Sequence, residues 1–558
     1  MPEPGAGGTP SPAGLETLYL DDVSSHPQAD LRSIIASSNV VSSVTASSVI
    51  AQGVSKEWKR EPLLSGEATA TSQRANPELV TRLQQFLQST DTAELLRLWL
   101  GDQLLTELCK LSVKRCLEQL QRDIAQLDRV ISKQLNAVLH HPEFQRLEAS
   151  WRGLQYLAES KDRYSTPNTH LELKVLNVRW RELRNDLDNG EEIEQSQLFK
   201  KVYDECFGQA GGDPFTAIIA DFEVRPNLTK EHPVDDLAIV RGLSQVGAAA
   251  FCPIVLNAHP SMFGLSDFGE LRHSIDIEVM HNSIEFMNWK KFRESPDSRF
   301  IAMAMPRMLM RKPYRGRGST PFPFEEVVRD KHDYLWGAAS YGMGEVLVRA
   351  ACEGGWFANL RGVKPGYNAG GLVTGCAHDE FTTESPGLAL KPLTEIVLSE
   401  TFERELARAG FLGMCACRDV PAAAFYSSVS VQKPAEFDAE DASQNAKLSS
   451  LLNQILCVSR FAHYIKCIAR DKIGSGVERE KLEHFLRNWL ADYMTPDKDA
   501  SERIRCEKPL REGQVRVISL PGRPGEYNCI IELAPHYELD DILASMQFRT
   551  RLVKPSGN

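Results

Sequence analysis

The most constraining feature of this chain is a run of apolar residues spaced by threes and fours from Val113 to Val138. This spacing places the residues on one side of an α-helix, so it predicts one long amphipathic helix. We expect the helix to end near His141 and Pro142, because proline disfavours helical backbone in the residue before it. The simplest interpretation is that the stripe packs within the same chain. The stripe comprises Val113, Leu117, Leu120, Ile124, Leu127, Ile131, Leu135 and Val138.

The length of the chain, 558 residues, predicts two or more domains, because one hydrophobic core rarely organises so many residues. Helical patterns fill residues 77–165, and helical and strand patterns alternate over 166–440. Residues 441–558 combine helices with a β-hairpin. The predicted fold class is therefore α+β, or mixed α/β, with a helical N-terminal region, a central α/β part and a C-terminal domain that contains the hairpin.

The N-terminal part of the chain carries no globular pattern. Residues 1–30 are rich in proline, glycine and serine and are predicted to be disordered. Residues 31–76 are predicted to be a linker with one candidate strand at 39–50, where β-branched residues favour extended backbone. Such a strand needs a sheet to join, and a disordered serine-rich linker is the alternative. The first residues lack the basic and apolar regions of a signal peptide.

The central part predicts an α/β unit. Two short apolar runs, Phe215 to Phe222 and Phe251 to Leu256, lie on either side of a predicted helix at 235–251. This strand–helix–strand order is typical of parallel strands. Alternation from Leu171 to Val178 predicts another strand, and Arg299 to Met305 predicts one more.

The C-terminal part predicts a long helix over 443–472 and a hairpin. A second stripe on that helix contains Arg460, His463, Cys467 and Arg470 at helical spacing. In a chain of net charge −11, a cationic stripe is a candidate for contact with an acidic partner. The hairpin strands are predicted at 514–520 and 526–534, joined by a proline- and glycine-rich turn.

Motifs of catalysis are absent from the sequence. It has no phosphate-binding GxxxxGK[ST] loop, no HExxH zinc helix and no GxGxxG after a strand. The nearest approach to a nucleophile elbow, around Ser340, lacks the first glycine and has a helical pattern. The twelve cysteines form no CxxC pair and are expected to be reduced thiols. We therefore predict a non-enzyme without cofactor or metal.

Charge and hydropathy limit the partners and the location. The acidic balance argues against wrapping of nucleic acid, which needs a basic surface. No uncharged apolar run of about 18 residues is present, so no membrane insertion is expected. A loop at 306–323 is locally basic and is either a solvated surface loop or an anion site. The expected location is the cytoplasm.

One segment resembles a known family. Residues 128–157, DRVISKQLNAVLHHPEFQRLEASWRGLQYL, are similar to a signature of the large subunit of the contractile sheath of type VI secretion systems, the TssC or VipB family. Further segments that resemble the family are FPFEE at 322–326, LWGAASYG at 335–342, SRFAHYIKCIARDKIG at 459–474 and the hairpin. The similarity extends over residues 77 to 553, and several motifs in the same order make it specific.

The resemblance implies a structural role. Members of this family pair with a small sheath subunit, TssB or VipA, and stack with copies of themselves around an inner tube of Hcp. Contraction propels that tube, and an AAA+ ATPase of the ClpV type dismantles the spent sheath, here expected to act through the small subunit. The baseplate is a further expected partner. The large subunit of the family has no catalytic site.

The resemblance also implies strand exchange between copies, in which an N-terminal strand joins a neighbour's C-terminal sheet, the handshake domain. The candidate residues are Val40, Val41, Val44, Val49 and Ile50 in the donated strand, and Val515, Val517, Ile518, Tyr527, Ile530 and Ile531 in the receiving hairpin. The candidate contacts with the inner tube are Arg460, His463, Lys466 and Arg470, and the competing acidic candidates are Glu538, Asp540 and Asp541.

Two alternatives remain at the level of sequence. One is a sheath subunit of a related contractile injection system or phage-tail-like particle, which a different partner would distinguish. The other is a cytosolic α/β enzyme, which predicts a small oligomer with a ligand-binding cleft rather than a polymer.

Overall fold

The computed structural model of this protein describes residues 77–536 with short gaps. The chain divides into two compact units, Met1–Leu117 and Glu118–Asn558. The predicted disordered segment 1–30 and the linker 31–76 with its strand 39–50 lie outside the described residues. The gaps are residues 112, 168, 189–192, 208–210, 273–274, 317–321, 358, 364–369, 382, 385–388, 419, 474–478, 498–499 and 520–526.

Helices provide most of the regular structure. In chain order they are α1 (Pro77–Gln88), α2 (Thr92–Leu100), α3 (Asp102–Leu111), α4 (Val113–Leu139), α5 (Pro142–Tyr164), α6 (Trp180–Asp188), α7 (Gln197–Phe199), α8 (Glu205–Phe207), α9 (Asp236–Ala250), α10 (Ile277–His281), α11 (Met287–Arg293), α12 (Ser340–Glu353), α13 (Glu400–Arg408), α14 (Glu440–Ser449), α15 (Leu452–Ile473), α16 (Arg479–Ala491) and α17 (Glu502–Glu507). A π-helical turn, Lys200–Asp204, joins α7 to α8.

The strands form one larger sheet and two small ones. They are β1 (Ile218–Val224), β2 (Ile254–Ala258), β3 (Ile301–Met305), β4 (Met308–Leu309), β5 (Trp336–Gly337), β6 (Leu372–Val373), β7 (Phe411–Ala416), β8 (Ala423–Phe425), β9 (Leu510–Ser519) and β10 (Tyr527–Pro535). The larger sheet has the order β1-β2-β3-β7-β8-β6, and the pairs β4–β5 and β9–β10 stand apart. The predicted α+β class is confirmed.

The first unit contains α1 to α3, and residues at the helix starts explain where α1 and α2 begin. Helix α1 begins at Pro77, a residue that fits the first helical turn. Asp91 caps α2, because its carboxylate accepts a hydrogen bond from the Ala93 amide at 3.2 Å. The rings of Phe86 and Trp99 lie 5.6 Å apart and join α1 to α2.

The core of the second unit is the parallel part of the larger sheet. Strands β1, β2, β3 and β7 run parallel, and every residue of β2 and β3 is buried. Burial on both faces explains why these strands are continuous apolar runs, with helix α9 crossing between β1 and β2. The predicted strand–helix–strand unit is therefore confirmed.

Helices cover both faces of this sheet. On one face, Leu243 of α9, Trp289 of α11 and Leu406 of α13 pack in a core with Ile254 and Leu256. On the other, Tyr156 of α5 and Val346 of α12 pack with Val255, Ala302 and Leu412. The alternation of Ile254, Val255 and Leu256 between the two cores follows the two-residue period of a strand.

The segment at 169–179 differs from its prediction. Its alternating residues predict a strand, but it forms no strand and belongs to no sheet in the described residues. The side chains of Leu173, Val175 and Leu176 are exposed, by 40%, 69% and 54%. The prediction of a strand is therefore wrong for these residues.

Two glycines let α5 and α12 approach closely. A Cβ atom on Gly153 would lie 2.2 Å from the ring of Tyr341, and one on Gly344 would lie 2.8 Å from Leu157. Tyr341 is buried, so its ring has little room to move. This packing explains two segments of the sequence in physical terms, because WRGL on α5 and ASYG at the start of α12 meet at this crossing.

The predicted helix at 443–472 is interrupted. It consists of α14 and α15, with a break at Ser450 and Leu451. The Leu452 amide donates to the Ser428 carbonyl at 2.9 Å, and the Ser430 amide donates to the Ser450 carbonyl at 3.1 Å. The backbone at the break thus pairs with the chain at 428–430 instead of continuing the helix.

An aromatic cluster joins α15, α16 and the hairpin. The rings of Trp356 and Phe461 stack with centroids 4.0 Å apart, and Tyr493 approaches Trp356 at 4.8 Å. Phe461, Leu486 and Val515 belong to the same buried core. The antiparallel hairpin of β9 and β10 is confirmed, with Val515 opposite Ile531.

We predict that Gly153→Ala destabilises the second unit. The gain in helix propensity is about 1 kcal/mol, but overpacking against Tyr341 costs about 1–3 kcal/mol, so the clash should prevail. Urea unfolding of the purified sample, followed by tryptophan fluorescence, measures the change. Gln155→Ala, at an exposed position of the same helix, should shift the free energy of unfolding by no more than about 0.5 kcal/mol. Equal stabilities for both variants would contradict the packing argument.

Candidate assembly surfaces

The hairpin has one face toward its own subunit and one toward solvent. Val515 and Val517 are 1% and 2% exposed and pack on α16, whereas Ile518 and Ile530 are 49% and 44% exposed. Ile531 also packs on the buried core. Tyr527 pairs with Ser519 at the far end of the ladder. The residues predicted for strand exchange therefore fall into two groups. Some of them hold the hairpin on its own subunit, and the others are exposed to solvent.

The two outer edges of the hairpin are not equivalent. On β9, the Val517 amide donates to the Glu483 carboxylate at 3.1 Å, and the Val517 carbonyl accepts from Arg479 at 3.2 Å. Side chains of α16 therefore cap this edge. The amide and carbonyl of Val517 thus point away from β10. Residues that lie opposite each other in an antiparallel ladder direct their backbone groups either both inward or both outward, so the amide and carbonyl of Cys529, opposite Val517, also point outward. The same holds for Ile531, two residues further along β10. Within the described residues these outward groups of β10 have no partner, so that edge is open to another strand.

Helices α4 and α5 present an apolar surface, which we call the α4/α5 surface. None of α4 is buried, although its sequence carries the long apolar stripe. The prediction that this stripe packs within the chain is wrong for residues 124–138. Large exposed apolar surfaces mark interfaces in soluble proteins. Its exposed members are Ile124, Leu127, Val130, Ile131, Leu135 and Val138 of α4 and Phe144, Leu147 and Trp151 of α5.

The cationic stripe of α15 is largely used inside the subunit. The guanidinium of Arg460 lies 5.8 Å from the Trp356 ring and donates to the Tyr464 hydroxyl at 3.1 Å. The Lys466 ammonium lies 5.0, 4.6 and 4.7 Å from the rings of Tyr203, Phe207 and Phe251. Cation–π contacts of this kind explain why cations occur on a half-buried helix.

His463 is wrongly predicted as an inner-tube contact, because its side chain is only 5% exposed. Its Nε2 atom lies 2.8 Å from the Ala250 carbonyl. Burial lowers the pKa of His463 to about 4, so the ring is neutral near pH 7. The internal contacts of Arg460 and Lys466 likewise do not favour those two predictions. The side chain of Arg470 lies outside the described part, as do Glu538, Asp540 and Asp541.

The basic loop at 306–323 is neither simply solvated nor an open anion site. Arg311 binds the carboxylates of Glu326 at 2.6 Å and Glu148 at 2.7 Å. Burial alone would lower the pKa of Arg311, but these hydrogen bonds raise it above its usual value. Arg315 similarly pairs with Asp379 at 2.5 Å. The loop therefore ties α5 to the body of the subunit through internal ion pairs.

The carboxyl edge of the parallel sheet is filled by side chains of the chain itself. The Arg307 guanidinium binds the Glu223 carboxylate through two bonds, at 2.5 and 2.8 Å. The Asp236 carboxylate, at the start of α9, accepts from Trp180 Nε1 at 2.7 Å and from the Arg225 amide at 2.9 Å. The parallel strands also follow one another across the sheet in chain order, β1, β2, β3 and β7. Doubly wound folds instead reverse the strand order at one point, and that reversal opens a crevice for a ligand.

Ser340 is not placed as a nucleophile. It is fully buried at the start of α12, where its hydroxyl donates to the Ala220 carbonyl at 3.2 Å. Its amide donates to Asn257 Oδ1 at 2.8 Å.

Among the described residues, no group of three or more His, Cys, Asp or Glu side chains is arranged to hold a metal ion. The same residues include no helix long and apolar enough to cross a membrane.

Comparisons with known proteins show which family the chain belongs to. Residues 121–432 match the EvpB/VC_A0108 tail sheath N-terminal domain (VipB), and residues 441–552 match the EvpB/VC_A0108 tail sheath gpW/gp25-like domain. The chain belongs to this tail-sheath family. It is also 33% identical over 508 residues to the type VI secretion system sheath protein TssC1 of Pseudomonas aeruginosa, covering 89% of this chain and 98% of that protein.

The comparisons confirm the prediction of a type VI contractile sheath large subunit, and the family is one of structural proteins. A chain of the anti-feeding prophage baseplate, solved by cryo-EM, has a TM-score of 0.33 and 10% identity, covering 67% of this chain and 81% of that one.

Sequence reasoning missed the open edge of β10, because the direction of backbone groups depends on pairing register. Exposure of the α4 stripe was missed because periodicity indicates an apolar face without indicating what covers it.

We predict that His463→Gln reduces the sensitivity of folding to acid. The pKa of His463 is about 4 in the folded protein and near 6.5 in the unfolded chain. As the pH falls, the unfolded chain therefore binds a proton at this residue before the folded protein does. Its contribution to stability is therefore lost as the pH falls from about 6.5 to about 4, by up to about 3 kcal/mol.

The measurement is the slope of unfolding free energy against pH, from urea unfolding at several pH values. The slope between pH 4 and 6.5 should be lower in H463Q than in the wild type. His484→Gln, on the exposed side of α16, should leave it unchanged. An unchanged slope in H463Q would refute the assignment.

Proposed function

We propose that this sheath protein co-assembles with a small sheath subunit, TssB or VipA, and with copies of itself into a helical tube around an inner tube of Hcp. The observation that carries this proposal is the asymmetric hairpin. One of its edges is capped by Arg479 and Glu483, and the other offers the unpaired backbone of β10. An open edge of a two-stranded sheet is a template for another strand, and it specifies one side for that strand.

The donated strand in this proposal is residues 39–50 of a neighbouring copy. Val40, Val41, Val44, Val49 and Ile50 give that segment its β propensity. Main-chain hydrogen bonds to β10 would link the copies, and the solvent-facing residues Ile518 and Ile530 would pack with the added side chains. Such a link holds while the bodies of the subunits rotate, because it depends on the hairpin and a linker alone.

The small sheath subunit is proposed to bind the α4/α5 surface. Leu127 and Ile131 are 43% exposed, and Trp151 is 67% exposed, so a helix of the partner would bury apolar area that the single chain leaves in water. Near-heptad spacing on α4 favours a helical partner over a flat one.

Contraction in this proposal releases conformational energy stored in the lattice, in keeping with a family of structural proteins. Two arrangements of packed subunits supply the stroke. A ClpV-type ATPase would dismantle the product through the small subunit, and the tube would grow from a baseplate. The proposed location is the cytoplasm. For contact with the inner tube, Arg470 remains the candidate from the α15 stripe.

Electron microscopy of the chain co-expressed with its small subunit tests the assembly, and Cys529→Pro tests the open edge. Proline removes the outward amide of the exposed Cys529 and leaves the ladder to β9 in place. We expect tubes from the wild type and from Cys529→Ser, and a heterodimer without tubes from Cys529→Pro. Discrete particles from the wild type would refute the sheath assembly, and tubes from Cys529→Pro would refute the edge.

A charge on the α4/α5 surface should separate the two subunits. Ile131→Glu would bury an unpaired carboxylate in the proposed interface, so co-purification of the small subunit should fall at least tenfold. Lys133→Glu, on an exposed part of the same helix, introduces the same side chain and should leave co-purification unchanged. Equal recovery from both variants would show that the small subunit binds elsewhere.

A further inference from the structure

Helix α4 meets α5 at a corner of two residues, His140 and His141. The backbone of His141 is extended, as is favoured before Pro142, and its Nδ1 atom accepts a hydrogen bond from the Glu143 amide at 3.3 Å. This bond caps α5 and fixes the start of that helix. Short connections at helix ends are where elements bend relative to each other, so the direction of α4 depends on contacts beyond the corner itself.

The side chain of His140 bridges two carboxylates of a distant part of the chain. Its Nε2 atom lies 3.2 Å from the Glu326 carboxylate, and its Nδ1 atom lies 3.4 Å from the carboxylate of Asp333. A histidine ring carries nitrogen atoms on two sides, and carboxylates accept hydrogen bonds, so one ring can bind both groups. The His140 side chain is 18% exposed and that of Glu326 is 1% exposed, so the first of these contacts is shielded from water.

The position of Glu326 does not depend on His140. Arg311 donates to the Glu326 carboxylate at 2.6 Å, and the Tyr314 amide donates to it at 3.0 Å. The Glu326 amide in turn donates to the Tyr314 carbonyl at 2.8 Å. Without the histidine ring this buried carboxylate would still have its partners, so we expect a variant at position 140 to fold.

A second contact joins the same two parts of the chain. The Asn136 Oδ1 atom, in the last turn of α4, accepts a hydrogen bond from the Val327 amide at 2.9 Å. Asn136 and His140 are four residues apart, so they lie on the same side of the helix end. The Val327 amide therefore shows whether the end of α4 is attached. The Glu326 amide, which is bonded to Tyr314, shows whether the segment around it is intact.

We infer that His140 is a positioning residue for assembly. By bridging Glu326 and Asp333 it fixes the angle between α4 and α5, so that the exposed apolar residues of both helices form one surface of constant shape. A surface already held in its bound shape binds more tightly than one that must be ordered on binding, because ordering costs free energy. The effect on binding rests on the proposed contact of the small subunit with the α4/α5 surface, whereas the fixed angle does not.

Hydrogen–deuterium exchange of the full chain, resolved to single amides, tests the fixed angle. In His140→Ala the Val327 amide should exchange about tenfold faster than in the wild type, while the Glu326 amide keeps its wild-type rate. His140→Gln retains a donor in the place of Nε2 and should restore most of the protection. His141→Ala removes the cap of α5 but not the bridge, so its Val327 amide should stay protected. An unchanged Val327 amide in His140→Ala, or an equal loss of protection at Glu326, would overturn the inference.

Co-purification of the small subunit tests the effect on assembly. His140→Ala should lower its recovery about tenfold, because the end of α4 is then no longer held, whereas His140→Gln and His141→Ala should retain it. Full recovery with His140→Ala would overturn the positioning role. Failure of the proposed surface is told apart by Ile131→Glu, which reduces recovery only if the small subunit binds there.

Discussion

The close crossing of α5 and α12 is the constraint on which the second unit depends. Because Gly153 and Gly344 lack a Cβ, the Tyr341 ring and the Leu157 side chain fit against the facing helix, and Ser150 of α5 reaches Asp221 on β1. Arg311 then ties α5 to the rest of the body through Glu148 and Glu326. With α5 held in this way, its outer side and the helix α4 that precedes it present apolar residues to solvent. The same packing that stabilises the subunit therefore exposes the apolar surface that we propose binds the small subunit.

The arginine and lysine side chains described above mainly contact other parts of the same chain. Arg307, Arg311 and Arg315 each find a carboxylate on another part of the chain. Arg460 and Lys466 lie against aromatic rings. Such contacts are worth more when partly desolvated than at an exposed surface. The surfaces proposed for assembly consist instead of the open backbone edge of β10 and the exposed apolar residues of α4 and α5.

Much of this architecture was predictable from the sequence. Continuous apolar runs indicated the parallel strands β1 and β2, and alternation indicated the hairpin of β9 and β10. The signature at 128–157 indicated the family. The errors share one cause. His463 and the α4 stripe both carried the expected periodicity, but periodicity places residues on a face and does not say whether that face meets solvent, the same chain or another chain.

The sequence by itself determined the local elements and the family, because helix and strand periods and short motifs are properties of neighbouring residues. Only the tertiary structure decided which charges are paired and which strand edges are open. Arg311 and Glu148 are 163 positions apart, and Val517 is capped by Glu483 from another element. Hydrogen-bond direction depends on register, and ion pairing depends on approach through space. Neither is encoded in the spacing of residues along the chain.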